Sequence, residues 1–367
     1  MPIPSSPRHW AVAVRVIATV LSALLVPAVS AAAAATAPPI RCTAASPEPV
    51  DEQAFVLIGG IQQWVTIKGA SCANPVILVI HGGPANTMSP YADALYGGWE
   101  KEFTLVQWDQ RGAGRTFGRN PVAPGAAEGV LSLELMARDG NELAAYLIEH
   151  LSQRKLILFG GSWGSALAVH MLKSRPELFG AYVGTGQLVN GVQNEAASYR
   201  QAMALARAAG DGANVAKLEA LGAPPWRNPR NPGLLRRITK QYEAQSTTPA
   251  PKAWWTPSSF YTTPQMEADY EAGEDYSWLQ YVGLQGEGIH SRLDLPKLGL
   301  NFDMPVFLIQ GELDLVTVPE IAKAYFDSIV APQKEFVLLP LTGHNPNPQM
   351  LEAQYRILKT RVLPLVK

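Results

Sequence analysis

The sequence lacks a dominant charge, an internal repeat and, after its N-terminal segment, any apolar run long enough to cross a bilayer. It carries 30 basic and 31 acidic side chains among 367 residues. Such a balance gives no field that would attract nucleic acid or a strongly charged surface. A length of 367 residues is enough for one large catalytic domain with an insertion, or for two domains, and an apolar share of 47% allows a sizeable core.

The one long apolar run lies at the N-terminus. It extends from Trp10 to Val29, follows Arg8, contains Arg15 and leads into small residues over Ala28–Ala37. A positive start, an apolar middle and a small-residue end are typical of a secretory signal. We therefore assign residues 1–36 to a signal peptide and expect a secreted or periplasmic protein without membrane attachment after cleavage. The alternative is an uncleaved anchor, which the charge of Arg15 inside the run disfavours.

Cysteine is also scarce, since the chain has only Cys42 and Cys72. Export would place both residues in an oxidising compartment, where an even number favours a disulfide. A loop of this length would stabilise the fold by about 3–4 kcal/mol in the chain-entropy model. We therefore predict that one disulfide ties the mature N-terminal arm to the end of the first hairpin.

Short apolar runs that end at loops are abundant. A hairpin is predicted over 54–67, with its turn at Gly59-Gly60. The runs that follow it are Val76–Ile80, Thr104–Trp108, Leu156–Phe159, Val306–Gln310 and Phe336–Leu339. Such runs suit strands that are buried on both faces of a parallel sheet. Helical patterns lie between them, at Leu133–Leu151, Ala166–Lys173, Pro319–Val330 and Gln349–Val362.

This alternation predicts an α/β fold with a mostly parallel, doubly wound sheet, in which ligands bind at the carboxyl ends of the strands. Residues 188–298 break the rhythm with helical patches, proline-rich joints and many aromatic side chains. We interpret them as a mostly helical cap, inserted between two parts of the sheet domain at 37–187 and 299–367. A cap in this position would roof the strand ends and shape a pocket.

A possible nucleophile lies between an apolar strand and a helical pattern. The five residues Gly160-Gly161-Ser162-Trp163-Gly164 form a G-x-S-x-G elbow, and this is the structural context that the motif requires. The tight turn lifts a serine hydroxyl above the sheet, and its glycines avoid clashes in the strained backbone. We predict that Ser162 is a nucleophile; the alternative is a glycine-rich turn without chemistry.

A serine hydroxyl needs a general base, and in hydrolases with this elbow the order along the chain is serine, acid, histidine. Of the six histidines only His344, in a loop after the last strand, satisfies this order. The others lie in the signal, before Ser162, on the helix after it or before the best acid, at His9, His81, His150, His170 and His290. Asp314 follows the strand Pro305–Gln310 and is the predicted acid, with Glu312 in the same turn as its competitor.

Attack on a carbonyl creates an oxyanion, which needs preorganised hydrogen-bond donors. One predicted donor is the backbone N–H of Trp163, the residue after the nucleophile. The other is that of Gly83, in the His81-Gly82-Gly83-Pro84 loop after an earlier strand. The alternative for this loop is a simple strand-end turn. Chemistry of this kind requires no metal and no organic cofactor.

As a group, these motifs resemble the proline iminopeptidase family of α/β-hydrolases. The matching pieces span the sheet domain in the family's order, at His81–Pro84, Asp109–Thr116, Gly160–Ser165, Gly311–Asp314 and Gly343–His344. The resemblance implies an α/β-hydrolase fold and removal of an N-terminal residue, often proline, from short peptides. It also supports Ser162, Asp314 and His344 as a triad, with Gly83 and Trp163 as the oxyanion donors.

The resemblance further implies that cap glutamates recognise the free amine of the substrate. The candidates are Glu195, Glu267, Glu271 and Glu274, each of which has the alternative of being a solvated charge on a helix surface. The chain departs from the family in two respects, because Ala85 replaces a glycine and the cap motifs do not align. Arg111, in the loop beside the site, is expected to form an ion pair rather than to take part in chemistry.

The leading hypothesis is acyl transfer to water through a Ser162 acyl-enzyme, with a small peptide or a small acyl compound as substrate. An aminopeptidase is favoured over a carboxylesterase or amidase. A different class, a non-catalytic binding protein on a hydrolase scaffold, would be indicated by an incomplete triad. Dehalogenase-like and epoxide-hydrolase-like relatives normally carry aspartate at the position of Ser162, which argues against these activities. The sequence does not fix the oligomeric state.

Overall fold

The computed structural model describes residues 48–123 and 131–366. The predicted signal peptide at 1–36 and Cys42 lie outside these residues. Cys72 is buried and is not a free thiol, and its pairing with Cys42 stays a prediction. Among the described residues, no helix combines the length and the apolarity that crossing a membrane would require.

Eight strands in the described part of the chain form one sheet, in the order β1-β2-β4-β3-β5-β6-β7-β8. Their bounds are β1 Val50–Ile58, β2 Ile61–Gly69, β3 Val76–Ile80, β4 Thr104–Trp108, β5 Leu156–Gly161, β6 Phe179–Thr185, β7 Val306–Gly311 and β8 Lys334–Leu339. The first two strands are antiparallel to their neighbours, whereas β3 to β8 run parallel. The predicted α/β-hydrolase fold with a mostly parallel sheet is confirmed.

The helices alternate with these strands as the doubly wound pattern requires. Their bounds are α1 Ala92–Tyr96, α2 Gly114–Arg119, α3 Leu133–His150, α4 Trp163–Ser174, α5 Gly191–Ala208, α6 Gly212–Leu221, α7 Asn231–Ser246, α8 Pro264–Val282, α9 Ile289–Arg292, α10 Pro319–Ser328, α11 Pro348–Ile357 and α12 Leu363–Val366. The side chain of Ser132 caps α3 by accepting the N–H of Leu135 at 3.1 Å, as expected of an N-cap serine.

The central strands are buried on both faces. Along β3, Val76, Leu78 and Ile80 join a core that includes residues of α3, α4 and α10. The alternate residues Ile77 and Val79 join a second core with α1 and α11. Because successive side chains of a strand point to opposite faces, these runs are continuously apolar rather than alternating, which explains why the sequence pattern identified them.

The hairpin turns where it was predicted, but its strands extend further on both sides. Gly59 and Gly60 have φ angles of 55° and 77°, and two successive positive φ angles are typical of the two-residue turns that favour glycine. Arg111 connects this turn to α3. Its guanidinium donates to the carbonyl of Gly59 and forms the expected ion pair with the buried carboxylate of Asp139, both at 2.7 Å.

The sequence analysis missed one central strand, β6. Gly180 and Gly184 interrupt its apolar pattern and lower its strand propensity. Gly184 is nevertheless required by packing, because an added Cβ would lie 2.6 Å from the hydroxyl of Tyr182 and 2.7 Å from Leu308. The strand pairs with β5 on one side and β7 on the other, so it connects the two sequence-separated parts of the sheet.

Helices α5 to α9 lie between β6 and β7 in the chain. We call residues 188–298 the cap; its boundaries stay those predicted from the sequence. Helices α5, α6 and α7 enclose a small core of Ala202, Leu218, Leu235 and Ile238, to which Leu315 of the sheet domain contributes. This shared core joins the cap to the loop after β7.

Candidate active site

The elbow between β5 and α4 holds Ser162 in an unusual conformation. Its φ and ψ angles are 52° and −123°, and a positive φ is uncommon for a residue other than glycine. The backbone N–H of Ser162 donates to the carbonyl of Thr185 at 2.9 Å. This bond and the start of α4 at Trp163 hold the hydroxyl above the carboxyl edge of the sheet.

Two glycines of the elbow are dictated by packing. A Cβ on Gly160 would lie 2.6 Å from the carbonyl oxygen of Gly164, and a Cβ on Gly164 would overlap the carbonyl oxygen of Ile80. Gly161 differs from both, because a Cβ there meets no atom within 4 Å. The first glycine of the motif therefore lets β5 pack closely against the start of α4, and the last one lets α4 pack directly against the backbone at the end of β3.

His344 joins Ser162 to Asp314 through two hydrogen bonds. The distance between His344 Nε2 and Ser162 Oγ is 2.9 Å, and that between His344 Nδ1 and Asp314 Oδ2 is also 2.9 Å. If the serine hydroxyl donates to Nε2, the proton of the neutral ring lies on Nδ1 and is donated to the carboxylate. Glu312, the competing acid, is exposed, and the bond to His344 is made by Asp314.

The carboxylate of Asp314 is fully buried and well partnered. Its Oδ1 accepts the backbone N–H groups of Val316 and Thr317, both at 2.8 Å. Its Oδ2 accepts the Thr317 hydroxyl at 2.6 Å and the Gln310 amide at 3.0 Å. Burial acts to raise the pKa of Asp314, but the neighbouring His344 and these hydrogen bonds outweigh it, so that the pKa is lowered. The group is therefore ionised at neutral pH.

Both predicted oxyanion donors line the same cavity as Ser162. Gly83 has a φ of 115°, a conformation that favours glycine. Gly82 lies so close to the elbow that an added Cβ would be 3.3 Å from the Cβ of Ser162. The loop that carries Gly83 therefore packs against the elbow, and the two candidate donors lie on the same cavity as the serine hydroxyl.

Gln110 connects the elbow to the loop that carries Gly83, a role that the sequence analysis did not assign. It is fully buried. Its side chain accepts from the indole N–H of Trp163 at 3.1 Å and donates to the carbonyl of His81 at 3.0 Å. Burial lowers the pKa of His81 to about 4, so this ring is neutral, and its Nε2 accepts the N–H of Gln110 at 3.2 Å.

A cavity of about 470 Å³ opens above the serine. The sheet domain contributes the elbow, the Gly83 loop and His344. The cap contributes Glu195 from α5, residues of α7 and Glu274 from α8. Tyr281 and His290 also line it, and burial lowers the pKa of His290 to about 4. Since His290 is neutral at physiological pH, it adds no positive charge to the cavity.

The four candidate glutamates divide between two cavities. Glu195 and Glu274 line the cavity around Ser162, whereas Glu267 and Glu271 are exposed and line a separate cavity of about 180 Å³. Burial raises the pKa of Glu195 to about 7. Burial also raises the pKa of Glu274, although hydrogen bonds from Tyr270 and Asn86 oppose the shift.

Comparison with known proteins identifies the fold family. Residues 75–349 match the sequence profile of the family described as alpha/beta hydrolase fold. The chain belongs to this family. This α/β hydrolase is 28% identical to a probable aminopeptidase of Bacillus subtilis, YbaC. The alignment extends over 295 residues and covers 79% of this chain and 89% of the relative.

Two further proteins extend the comparison. A probable proline iminopeptidase of Streptomyces coelicolor is 24% identical over 288 residues, or 75% of this chain and 85% of the relative. The solved structure of the proline iminopeptidase of Mycobacterium smegmatis superposes with a TM-score of 0.53 and 17% identity, over 85% of this chain and 93% of that one. The predicted resemblance to proline iminopeptidases is confirmed, and the structural match supports the fold.

Proposed function

We propose that this α/β hydrolase is a serine hydrolase with Ser162 as nucleophile, His344 as general base and Asp314 as the residue that orients the imidazole. The observation that carries the proposal is the hydrogen-bonded chain from Asp314 through His344 to Ser162. The buried, ionised carboxylate stabilises the imidazolium that forms when His344 takes the serine proton. The elbow places the hydroxyl at the floor of a cavity that a substrate can enter.

The reaction proceeds in two halves. Ser162 Oγ attacks the substrate carbonyl while His344 Nε2 takes its proton, and the N–H groups of Gly83 and Trp163 stabilise the oxyanion. The imidazolium then gives its proton to the leaving amine as the C–N bond breaks, which leaves an acyl-enzyme. Water repeats the sequence, with its proton passing to His344 and then back to Ser162.

We further propose that the substrates are short peptides with a free N-terminus, and that the enzyme releases N-terminal proline or another residue. The cavity carries Glu195 and Glu274 beside the nucleophile, and a carboxylate is a natural partner for an ammonium group. A bound ammonium favours the ionised form of Glu195, whose pKa burial raises to about 7. The names of the two relatives identified from sequence agree with this activity.

We also propose that the protein works outside the cytoplasm, on the strength of the N-terminal sequence pattern in 1–36. N-terminal sequencing of the protein isolated from culture fluid or periplasm would detect the mature start between Ser30 and Ala37. Recovery of the intact N-terminus from the membrane fraction would instead support an anchor.

The deciding experiment compares three substrates: a proline arylamide with a free amine, the same compound with an acetylated amine, and a short-chain nitrophenyl ester. An aminopeptidase should cleave the first and ignore the second. Cleavage of the ester alone would retain the nucleophile but reject the peptidase proposal. If no substrate is cleaved and a fluorophosphonate fails to label Ser162, the chain is a binding protein on a hydrolase scaffold. The Ser162→Ala variant is the matched control.

A further inference from the structure

One carboxylate of the cap reaches the loop that carries the proposed acid. Glu243 lies near the end of α7 and is 5% exposed. Its Oε1 accepts the backbone N–H of Leu315, the residue directly after Asp314, at 2.8 Å. Its Oε2 accepts from Arg236 Nη1 at 3.1 Å, and Arg236 lines the active-site cavity. Glu243 therefore connects the cavity wall to the Asp314 loop.

The same side chain packs against the loop that carries the proposed base. A Cβ on Gly343, the residue directly before His344, would lie 3.3 Å from Glu243 Cγ and 3.4 Å from its Cδ. The methyl group of Thr247 would lie 3.2 Å from the same point. This spacing shows that Gly343 lets the histidine loop approach α7 closely.

The chain after α7 continues the contact. The N–H of Thr248 donates to the carbonyl of Leu341 at 2.8 Å. Leu341 has a φ of 50°, which is a rare conformation for a leucine and persists only where surrounding contacts hold it. Residues 243–248 thus contact both loops, the one with Asp314 and the one with His344.

We propose that Glu243 is a positioning residue, whose bond to the Leu315 N–H holds Asp314 at the correct distance from His344. The inference rests on the proposed catalytic role of Ser162. Leu315 is buried, so removing its acceptor leaves an unpaired backbone donor that the loop must shift to satisfy. A shift of about 1 Å at a reacting geometry can lower the rate about 10²-fold.

Three variants separate this hydrogen bond from the ion pair with Arg236. Glu243→Gln keeps an oxygen acceptor at the same reach and loses the charge. Glu243→Asp keeps the charge but is one methylene too short, and Glu243→Met has neither. The readouts are the rate constant for fluorophosphonate labelling of Ser162, and kcat and KM for the best substrate. Glu219→Gln, at an exposed site on α6, is the matched control.

We expect Glu243→Gln and the control to label within about threefold of the wild type, and the Asp and Met variants to label about 10- to 100-fold more slowly. In these two variants kcat should fall while KM changes by less than about threefold. Wild-type rates in all variants would overturn the proposal. So would a slow Gln variant beside a normal Asp variant, because the ion pair would then be the contact that matters.

Two outcomes are kept apart by this design. If the Met variant fails to fold in a thermal unfolding assay, the comparison between the Asp and Gln variants still decides the proposal. If the wild type itself does not react with the fluorophosphonate, the proposed function fails rather than the role of Glu243. Because labelling requires no peptide, a protein that cleaves only esters tests Glu243 equally well.

Discussion

Two carboxylates near the active-site cavity, a buried one in the sheet domain and a half-buried one in the cap, have pKa values that shift in opposite directions. Asp314, in the sheet domain, is more deeply buried, yet its pKa is lowered because His344 and several donors surround it. Glu195, in the cap, has its pKa raised to about 7, with burial as the cause. We call the sheet-domain side of the cavity, with Ser162, Gly83 and His344, the sheet wall, and the side with Glu195 the cap wall. The hydrogen bonds that support the sheet wall, through Asp314, are all present before a ligand binds. On the cap wall, the ammonium group of the proposed substrate would be the partner that stabilises the ionised form of Glu195.

The largest expected effect comes from removing the proposed nucleophile. Ser162→Ala should lower kcat by a factor on the order of 10⁴ to 10⁶, since loss of the serine removes the acyl-enzyme path. The cavity and the fold should remain, because the side chain is small and its buried neighbours are unchanged. Turnover of the proline arylamide or the ester by the purified variant, beside its thermal unfolding curve, checks this. Activity near that of the wild type would refute the assignment.

The second largest effect is expected at Asp314, which supports His344 from behind the sheet wall. Asp314→Asn should lower kcat by a factor on the order of 10⁴, because an amide neither stabilises the imidazolium nor fixes the correct tautomer. Glu312→Gln is the matched control in the same turn and should leave kcat unchanged, since Glu312 is exposed. A larger effect from the control than from Asp314→Asn would show that the wrong acid was assigned.

The glycines of the elbow provide a prediction of intermediate size. Gly164→Ala should destabilise the protein by about 1–3 kcal/mol, because its Cβ would overlap the carbonyl of Ile80. It should also lower kcat by about 10²-fold through displacement of Ser162. Gly161→Ala, with open space around its Cβ, should change neither quantity. Urea unfolding and steady-state kinetics of the two variants test the contrast, and equal behaviour would contradict the packing argument.

The same contrast between walls explains what could be predicted from the sequence. The residues that lie together on the sheet wall, such as Ser162 and His344, follow strands whose apolar runs and loop glycines are local signals. In a parallel sheet these loops must meet at one edge, so the fold and the candidate residues Ser162, Asp314 and His344 could be predicted from the sequence. The glycine-interrupted strand β6 was the exception, because its pattern is set by packing rather than by hydrophobicity.

The cap could not be predicted in the same way. Helix α8 was not predicted because its buried positions are Gly273, Ser277 and Val282, of which two have no apolar signal. Gly273 and Ser277 approach α2 and its preceding loop, where the Ser277 hydroxyl donates to the carbonyl of Gly112 at 2.8 Å. The direction in which each glutamate of α8 points depends on this contact, so the sequence could not separate Glu274 from the other candidates.

The smallest effect, about tenfold, concerns the cap wall. Glu195→Gln should lower kcat/KM for the free-amine proline arylamide about tenfold, because losing one hydrogen bond to a charged group changes the free energy of binding by about that much. The same variant should leave kcat/KM for ester hydrolysis unchanged. In the wild type, the ratio of amine to ester kcat/KM should fall as the pH drops through about 7, because Glu195 becomes protonated and loses its charge. This ratio cancels titrations that both reactions share.

In the Gln variant the ratio should be flat over this range, which is best kept below about pH 7.5 because an α-amine begins to lose its own proton above that value. Glu267→Gln is the matched control, since Glu267 is exposed and lines the other cavity. If the ratio stays constant with pH in the wild type, the cap wall does not recognise charge through Glu195. The raised pKa of Glu195 would then reflect its burial alone, with no role in choosing the substrate.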